Sequence, residues 1–305
     1  MKSLSILNKK EVKKALPNIT ILFDEPLKNH TFAKVGGKAD ALVFPKSAEE
    51  IETVLTFIRA HMYPVMILGN ASNIIVRDGG IRGFVLMLTQ MNEAKVVGTK
   101  LYAQAGATIK HVAKVALSGS LTGLEFACGI PGSVGGAVVM NAGAYGGEIA
   151  GVFTSAQVLH ETGEIEKMTC EQMDFGYRHS ILQEIGGIVL SVEFELANGN
   201  LENIQAEMLR LTELREAKQP LEYPSCGSVF KRPPGYYAGK LIQDAGMQGV
   251  RVGGAQVSEK HAGFMVNRGG ATASDYEELI QKVIDGVKEH SGVTLETEVR
   301  IIGEK

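Results

Sequence analysis

Tryptophan is absent from the chain, and cysteine appears only three times in 305 residues, at Cys128, Cys170 and Cys226. An odd number without C-x-x-C spacing excludes a closed disulfide framework and a zinc ribbon, so reduced thiols follow. The seven histidines show no H-E-x-x-H or other ligand spacing, and no catalytic metal is expected. Basic residues are not in excess: 31 Lys and Arg stand against 34 Asp and Glu, a formal net charge of -3. Nucleic acid is bound mainly through clustered Lys and Arg, so it is not an expected partner. No apolar run reaches the roughly 18 residues of a membrane span. The opening MKSLSILNKK also lacks a sustained apolar core and a small-residue cleavage site, which makes the cytoplasm the expected compartment and membrane insertion unexpected. Neither G-x-G-x-x-G nor G-x-x-x-x-G-K-[ST] occurs, which removes the Rossmann dinucleotide site and the P-loop. There is no fixed-period repeat and no low-complexity tract.

Glycine, by contrast, is plentiful, with 36 residues, and residues 123–148, GLEFACGIPGSVGGAVVMNAGAYGGE, carry eight of them in an otherwise apolar stretch with two charges. A solvated linker is not built this way. Glycine lets main chain approach a ligand that a Cβ would repel and reaches the turns that aim successive amides at one point. A second glycine-bearing bend, Gly69-Asn70-Ala71-Ser72-Asn73, follows the apolar run ending at Leu68. One such turn commonly serves chain geometry alone; two point to a pyrophosphate gripped from both sides. Asn70, Ser72 and Asn73 then supply donors from one bend, and the amides of Gly129, Gly132, Ser133, Val134 and Gly135 from the other.

The remaining pattern mixes helical and strand periods, an α+β composition. Lys9, Lys10, Lys13 and Lys14, with Leu7, Val12, Ala15 and Leu16, read as a short amphipathic helix. Ser47 with Glu50 forms a capping box that opens a helix to Arg59, with Ile51, Val54, Leu55 and Ile58 on one face. Strands are predicted over 64–68, 74–76, 83–88 and 101–105, then a helix over 108–117. A hairpin covers 152–160 and 165–168, and a strand over 187–196 places Ile188, Leu190, Val192, Phe194 and Leu196 on one face. A helix over 201–218 marks a domain boundary near 200–220. Beyond it lie a glycine-punctuated loop over 224–240, a mixed region to Asn267, a capped helix over 274–290 and a closing strand over 295–302.

Taken together, LGNASNIIVRDGG (68–80), CGIPGSVGGAVVMNAGAYGGE (128–148), FGYRHS (175–180), SCGSVFKRP (225–233), GKLIQDAG (239–246), KHAGFMVN (260–267) and EVRIIG (298–303) resemble, in order and along nearly the whole chain, the UDP-N-acetylenolpyruvoylglucosamine reductase family. The resemblance implies a two-subdomain FAD-binding fold of the vanillyl-alcohol-oxidase type followed by a smaller C-terminal α/β substrate domain, divided as 1–95, 96–205 and 206–305. It implies noncovalent FAD, NADPH as reductant, and UDP-N-acetylglucosamine enolpyruvate as the substrate reduced to UDP-N-acetylmuramate for peptidoglycan. Other FAD oxidoreductases of the same fold and a noncatalytic nucleotide-sugar binding protein are the competing classes. A long tyrosine-bearing insertion found in part of the family has no counterpart between 178 and 200, so the chain resembles the shorter type.

The same resemblance assigns roles to particular side chains. Arg178 is implied to hold the substrate carboxylate as it gains enolate character, Ser228 to donate the proton, and Glu298 to act beside Arg178. Read alone, Ser225-Cys226-Gly227-Ser228 is turn chemistry, and Glu298 lies with Glu296 and Arg300 on the charged face of the closing strand. Asn141 joins Gly69 and the bend residues as a cofactor contact. Tyr177, Lys231, Arg232, Lys240, Gln256, His261 and Asn267 are the implied contacts for the nucleotide sugar, with Tyr236 and Tyr237 available to cover it.

Overall fold

Caps written into the sequence set the helix boundaries of the computed structural model, which describes residues 7–305. Residues 1–6 of the expected first subdomain, and most of the leader reading made on the first ten residues, lie outside the described residues. The helices are α1 (Lys9–Ala15), α2 (Ala48–His61), α3 (Ile109–Ser118), α4 (Val134–Val139), α5 (Leu182–Ile185), α6 (Leu201–Lys218), α7 (Ala238–Asp244) and α8 (Ala273–Ser291). Asn8, Ser47, Thr108, Ser133 and Thr272 each accept an amide hydrogen bond from three residues on, which satisfies one donor that the first helical turn leaves unpaired. At α2 the box is offset by one residue: Ser47 Oγ accepts from Glu50 N, but the Glu50 carboxylate accepts from Lys46 N, at 2.8 Å. Ile51, Val54, Leu55 and Ile58 form its buried face, as their spacing predicts.

The described residues form two compact units, one of residues 7–22, 42–70 and 84–214 and the other of 23–41, 71–83 and 215–305. The first contains an antiparallel five-stranded sheet with the strands in the order 165–169, 153–159, 188–195, 100–104 and 94–97. The predicted hairpin is its outer pair, with Ala156 opposite Met168. Strand Ile188–Glu195 sits in the middle, pairing Ala156 with Val192 on one side and Val192 with Ala103 on the other. Its simple alternation does not hold: Val189 is buried along with Ile188 and Leu190, and Glu193 is only 9% exposed. A central strand covered on both faces loses the in-out rule, and here α4 packs against it. Glu193 remains charged there because Lys100 Nζ bonds it at 2.6 Å, and that hydrogen bond holds its carboxyl below the ordinary range. A parallel pair sets Val65 opposite Phe84 and Leu68 opposite Met87, so that residue 69 begins at the carboxyl end of a strand.

The second unit is built around α8. Tyr276, Leu279, Val283 and Val287 are fully buried among Ile75, Val229, Ile242, Val257 and Met265. Strands Ser225–Ser228, Phe264–Asn267, Ala255–Val257 and Arg251–Val252 form an antiparallel sheet in that order. Two readings change here. The segment 224–240 is not all loop, since it contributes a strand and the start of α7, and the closing strand is shorter than 295–302. Only Arg300–Ile302 pairs, in parallel with Ile74–Val76. Residues 295–299 run alongside through a single bridge from Phe230 to Thr297. That parallel pairing joins segments more than 200 residues apart and explains why residues 71–83 belong with the C-terminal unit.

Candidate active site

Gly69 and Asn70, which open the first predicted bend, meet the second bend within the first unit. Asn70 Nδ2 donates to Pro131 O at 2.6 Å. A Cβ on Gly69 would lie 2.1 Å from Ser133 Oγ, so only glycine permits this approach. Ser133 is buried and caps α4 by accepting from Gly136 N at 3.3 Å. The backbone amides of Asn70, Gly129, Gly132 and Ser133 find no acceptor among the described residues. Partly buried amides without partners, beside a contact that tolerates no side chain, fit the oxygens of a pyrophosphate.

Two of the expected donors are corrected. Val134 N donates to Ala107 O and Gly135 N to Ala105 O, each at 2.8 Å, so neither amide is available to a ligand. A Cβ on Gly135 would face Ala105 Cβ at 3.1 Å, which makes this glycine a packing position between α4 and the preceding strand. Ser72 and Asn73 fall in the second unit. There the Asn73 side chain donates to Glu298 O at 3.2 Å, and Arg300 N donates to Asn73 O at 3.1 Å.

Arg178 has φ 55°, a left-handed backbone that is uncommon for a residue with a long side chain. The turn is closed by Gly176 N to His179 O at 3.1 Å and His179 N to Gly176 O at 3.2 Å. The guanidinium donates from Nη2 to Gly143 O at 3.0 Å and lies 5.2 Å from the ring centre of Tyr177, a half-exposed aromatic. The glycine segment and FGYRHS are thus neighbours in space. Asn141 is not arranged as the expected cofactor contact: its Oδ1 accepts from Ala150 N and its Nδ2 donates to Gly176 O, both at 3.0 Å. Sequence reasoning gave no role to Ser180, although it closes the FGYRHS motif, and missed Gln183, which lies outside every motif; both fasten this turn.

Ser228 and Glu298 come together in the second unit. Glu298 N donates to Val229 O at 2.8 Å, next to Ser228 in the chain. Ser228 pairs with Phe264 after an irregularity in register between Ser225 and Ser228, and Gly227 in that irregularity has φ 78°. The bulge turns Ser228 outward to an exposed position while Cys226 and Val229 stay buried. Burial pushes the Cys226 thiol up to about 12, so it is chemically silent beside the candidate serine.

The expected nucleotide-sugar contacts of the second unit are spread over several segments. Lys231 is paired with Glu296 and Lys240 with Asp244, so an anion binding at either ammonium competes with a carboxylate. Arg232 Nε donates to Tyr236 O at 3.2 Å, and its guanidinium stacks 4.0 Å from the Tyr237 ring centre. Gln256 Nε2 donates to Gly249 O at 3.0 Å. His261 Nδ1 accepts from Gly263 N at 3.1 Å, and burial, followed by the charge of Lys218, holds its pKa below the ordinary value. Asn267 is buried, with one amide hydrogen donated to Ala33 O and its Oδ1 accepting from Gly269 N and Ala271 N, so the side chain is fixed by the backbone around it. No group of three His, Cys, Asp or Glu among the described residues is arranged to hold a metal ion, and no helix there is long and apolar enough to cross a membrane.

Comparison with known proteins agrees with this anatomy. A family model described as an FAD binding domain matches residues 39–169, and one described as the C-terminal domain of UDP-N-acetylenolpyruvoylglucosamine reductase matches 219–302. The chain is 60% identical over 289 residues to the UDP-N-acetylenolpyruvoylglucosamine reductase of Streptococcus pneumoniae strain 70585, covering 95% of this chain and 96% of the relative. The protein of that name from strain Hungary19A-6 matches equally well, at 60% over the same shares. Among solved structures, the UDP-N-acetylenolpyruvylglucosamine reductase of Thermus caldophilus superposes with a TM-score of 0.79 at 35% identity, over 94% of this chain and 99% of that one.

Proposed function

The chain belongs to the UDP-N-acetylenolpyruvoylglucosamine reductase family, and from that premise we infer that it reduces the enolpyruvyl ether of UDP-N-acetylglucosamine enolpyruvate to UDP-N-acetylmuramate in peptidoglycan precursor synthesis. FAD is its bound cofactor and NADPH its reductant. The observation that carries the reading is 60% identity maintained over 95% of the chain. We assign residues 1–95 and 96–205 as the FAD-binding subdomains and 206–305 as the substrate domain. The nucleotide-linked substrate and NADPH make the cytoplasm the proposed compartment.

Gly69, Asn70, Gly129, Gly132 and Ser133 would hold the FAD pyrophosphate, through close approach at Gly69 and main-chain amides elsewhere. FAD held there would supply the hydride chemistry, with NADPH as its source of reducing equivalents. The substrate double bond is conjugated to a carboxylate, so hydride enters at its terminal CH2 and negative charge develops on the carbon bearing that carboxylate. Arg178 meets this charge with a planar guanidinium that is always protonated and fixed at Gly143 O, so little reorganisation is needed as the charge forms. Ser228 delivers the proton to the same carbon from the outward side of its bulge, and a carbanion is basic enough to take it from a hydroxyl. Glu298 stands beside Ser228 as the carboxyl that completes the set. Lys231 and Lys240 balance the diphosphate of the nucleotide sugar, with Gln256 and His261 near it.

The test separates the two halves of the reaction. Anaerobic NADPH should bleach the flavin band of the wild-type holoenzyme, and substrate should restore it. Ser228→Ala should preserve the bleaching and slow the restoration by 100-fold or more, on the order of a lost general acid. Restoration at the wild-type rate in that variant removes Ser228 from the chemistry. A purified chain without flavin absorbance, or substrate-dependent peroxide without NADPH oxidation, refutes the whole reading.

A further inference from the structure

The α4 helix ends in a knot of hydrogen bonds that all serve the Arg178 turn. Val139 O, one of the carbonyls that a helix C-terminus leaves without an intrahelical partner, accepts from both Ser180 Oγ and Gln183 Nε2, each at 2.8 Å. The second hydrogen of the Gln183 amide goes to Arg178 O at 3.0 Å. Two residues after Val139, Asn141 is 1% exposed with φ 40°, and its amide bridges Ala150 N to Gly176 O. The strained backbone of Arg178 is therefore held at Gly176 O on one side and at its own carbonyl on the other, by side chains anchored to one six-residue helix. Ser133, at the start of that helix, packs against Gly69.

We propose that Asn141 and Gln183 are positioning residues: they hold Arg178 in its left-handed conformation and so set where its guanidinium meets the substrate carboxylate. This rests on the role given to Arg178 above. A left-handed conformation at a non-glycine residue persists only where surrounding bonds over-determine it, and these two amides supply those bonds. An Arg released to an ordinary backbone conformation carries its guanidinium away from Gly143 O, and a misplacement of about 1 Å is enough to cost roughly 100-fold in rate.

Asn141→Gly, which tolerates φ 40° but has no amide, and Gln183→Ala test this in the holoenzyme. Each should keep stoichiometric FAD and near-normal bleaching by NADPH while slowing substrate-driven restoration by about 10- to 100-fold. In an Arg178→Ala background both substitutions should add nothing further, because residues acting through one group are not additive. Equal slowing with and without Arg178 overturns the proposal, as does restoration at the wild-type rate in both single variants. Loss of FAD from both would also overturn it, showing that the knot serves the cofactor site. If Arg178→Ala alone leaves restoration unchanged, the role of Arg178 itself falls and this proposal falls with it.

Discussion

Gly69→Ala isolates the contact on which the cofactor site is built. The added Cβ would stand 2.1 Å from Ser133 Oγ and 3.3 Å from Ser133 Cβ, so the hydroxyl must retreat by roughly 1 Å. Ser133 is 1% exposed and its hydroxyl accepts from Gly136 N, so retreat breaks the cap of α4. A lost cap costs about 0.5–2 kcal/mol and overpacking a close-packed site about 1–3 kcal/mol. A total of about 2–4 kcal/mol is expected, read as a fall of roughly 3–6 °C in the Tm of the FAD-free protein. Because the same displacement opens the bend toward the ligand, FAD affinity should fall at least about tenfold, equivalent to 1.4 kcal/mol. Two controls define the cause. In a Ser133→Ala background the offending oxygen is gone, so Gly69→Ala should cost at least about 1 kcal/mol less there. Gly135→Ala, whose Cβ meets Ala105 at 3.1 Å, should retain FAD, because that glycine faces a strand and not the ligand. Differential scanning calorimetry and fluorescence titration of FAD measure both quantities. Wild-type Tm and affinity in Gly69→Ala, or an equal penalty with and without the Ser133 hydroxyl, refute the contact.

The remaining expectations concern titratable groups. Cys226 is buried with its thiol pushed up to about 12, and Cys128 is buried too, so an aromatic disulfide reagent at mildly alkaline pH should label Cys170 alone until denaturant is added; fast labelling of Cys226 in the native protein contradicts that packing. His261 has its pKa lowered by burial, so the unfolded chain takes up its proton at higher pH than the folded one. Its contribution to stability should be complete above the ordinary value of about 6.5 and decline as pH falls toward the lowered folded value. His261→Gln should flatten this part of the urea-unfolding profile between about pH 5 and 7, and superimposable profiles would reject it.

Local rules made much of the molecule legible. The cap and buried face of α2 follow from Ser47 and the spacing of Ile51, Val54, Leu55 and Ile58, α8 lies within a residue of its predicted 274–290 at each end, and α6 matches its predicted bounds. The two bends could be located because glycine density has a physical cause. What each amide in them does was not legible. Val134 and Gly135 are engaged by carbonyls at Ala107 and Ala105, the end of a strand some 30 residues earlier, and no local pattern announces that pairing. The same holds for the second unit, where the parallel pairing of Arg300 with Ile74 draws an early loop into a C-terminal core. Ser228 could be singled out only by resemblance, since it is the bulge at Gly227, not the residue type, that turns its hydroxyl outward. Arg178 is the sharpest case. Its left-handed backbone is the kind of local conflict that sequences place at functional sites and correct from outside, and the correcting residues, Asn141 and Gln183, look like ordinary polar residues until the carbonyls they hold are known. A positioning residue is defined by the partner it fixes, so it emerges only once the folded backbone supplies that partner.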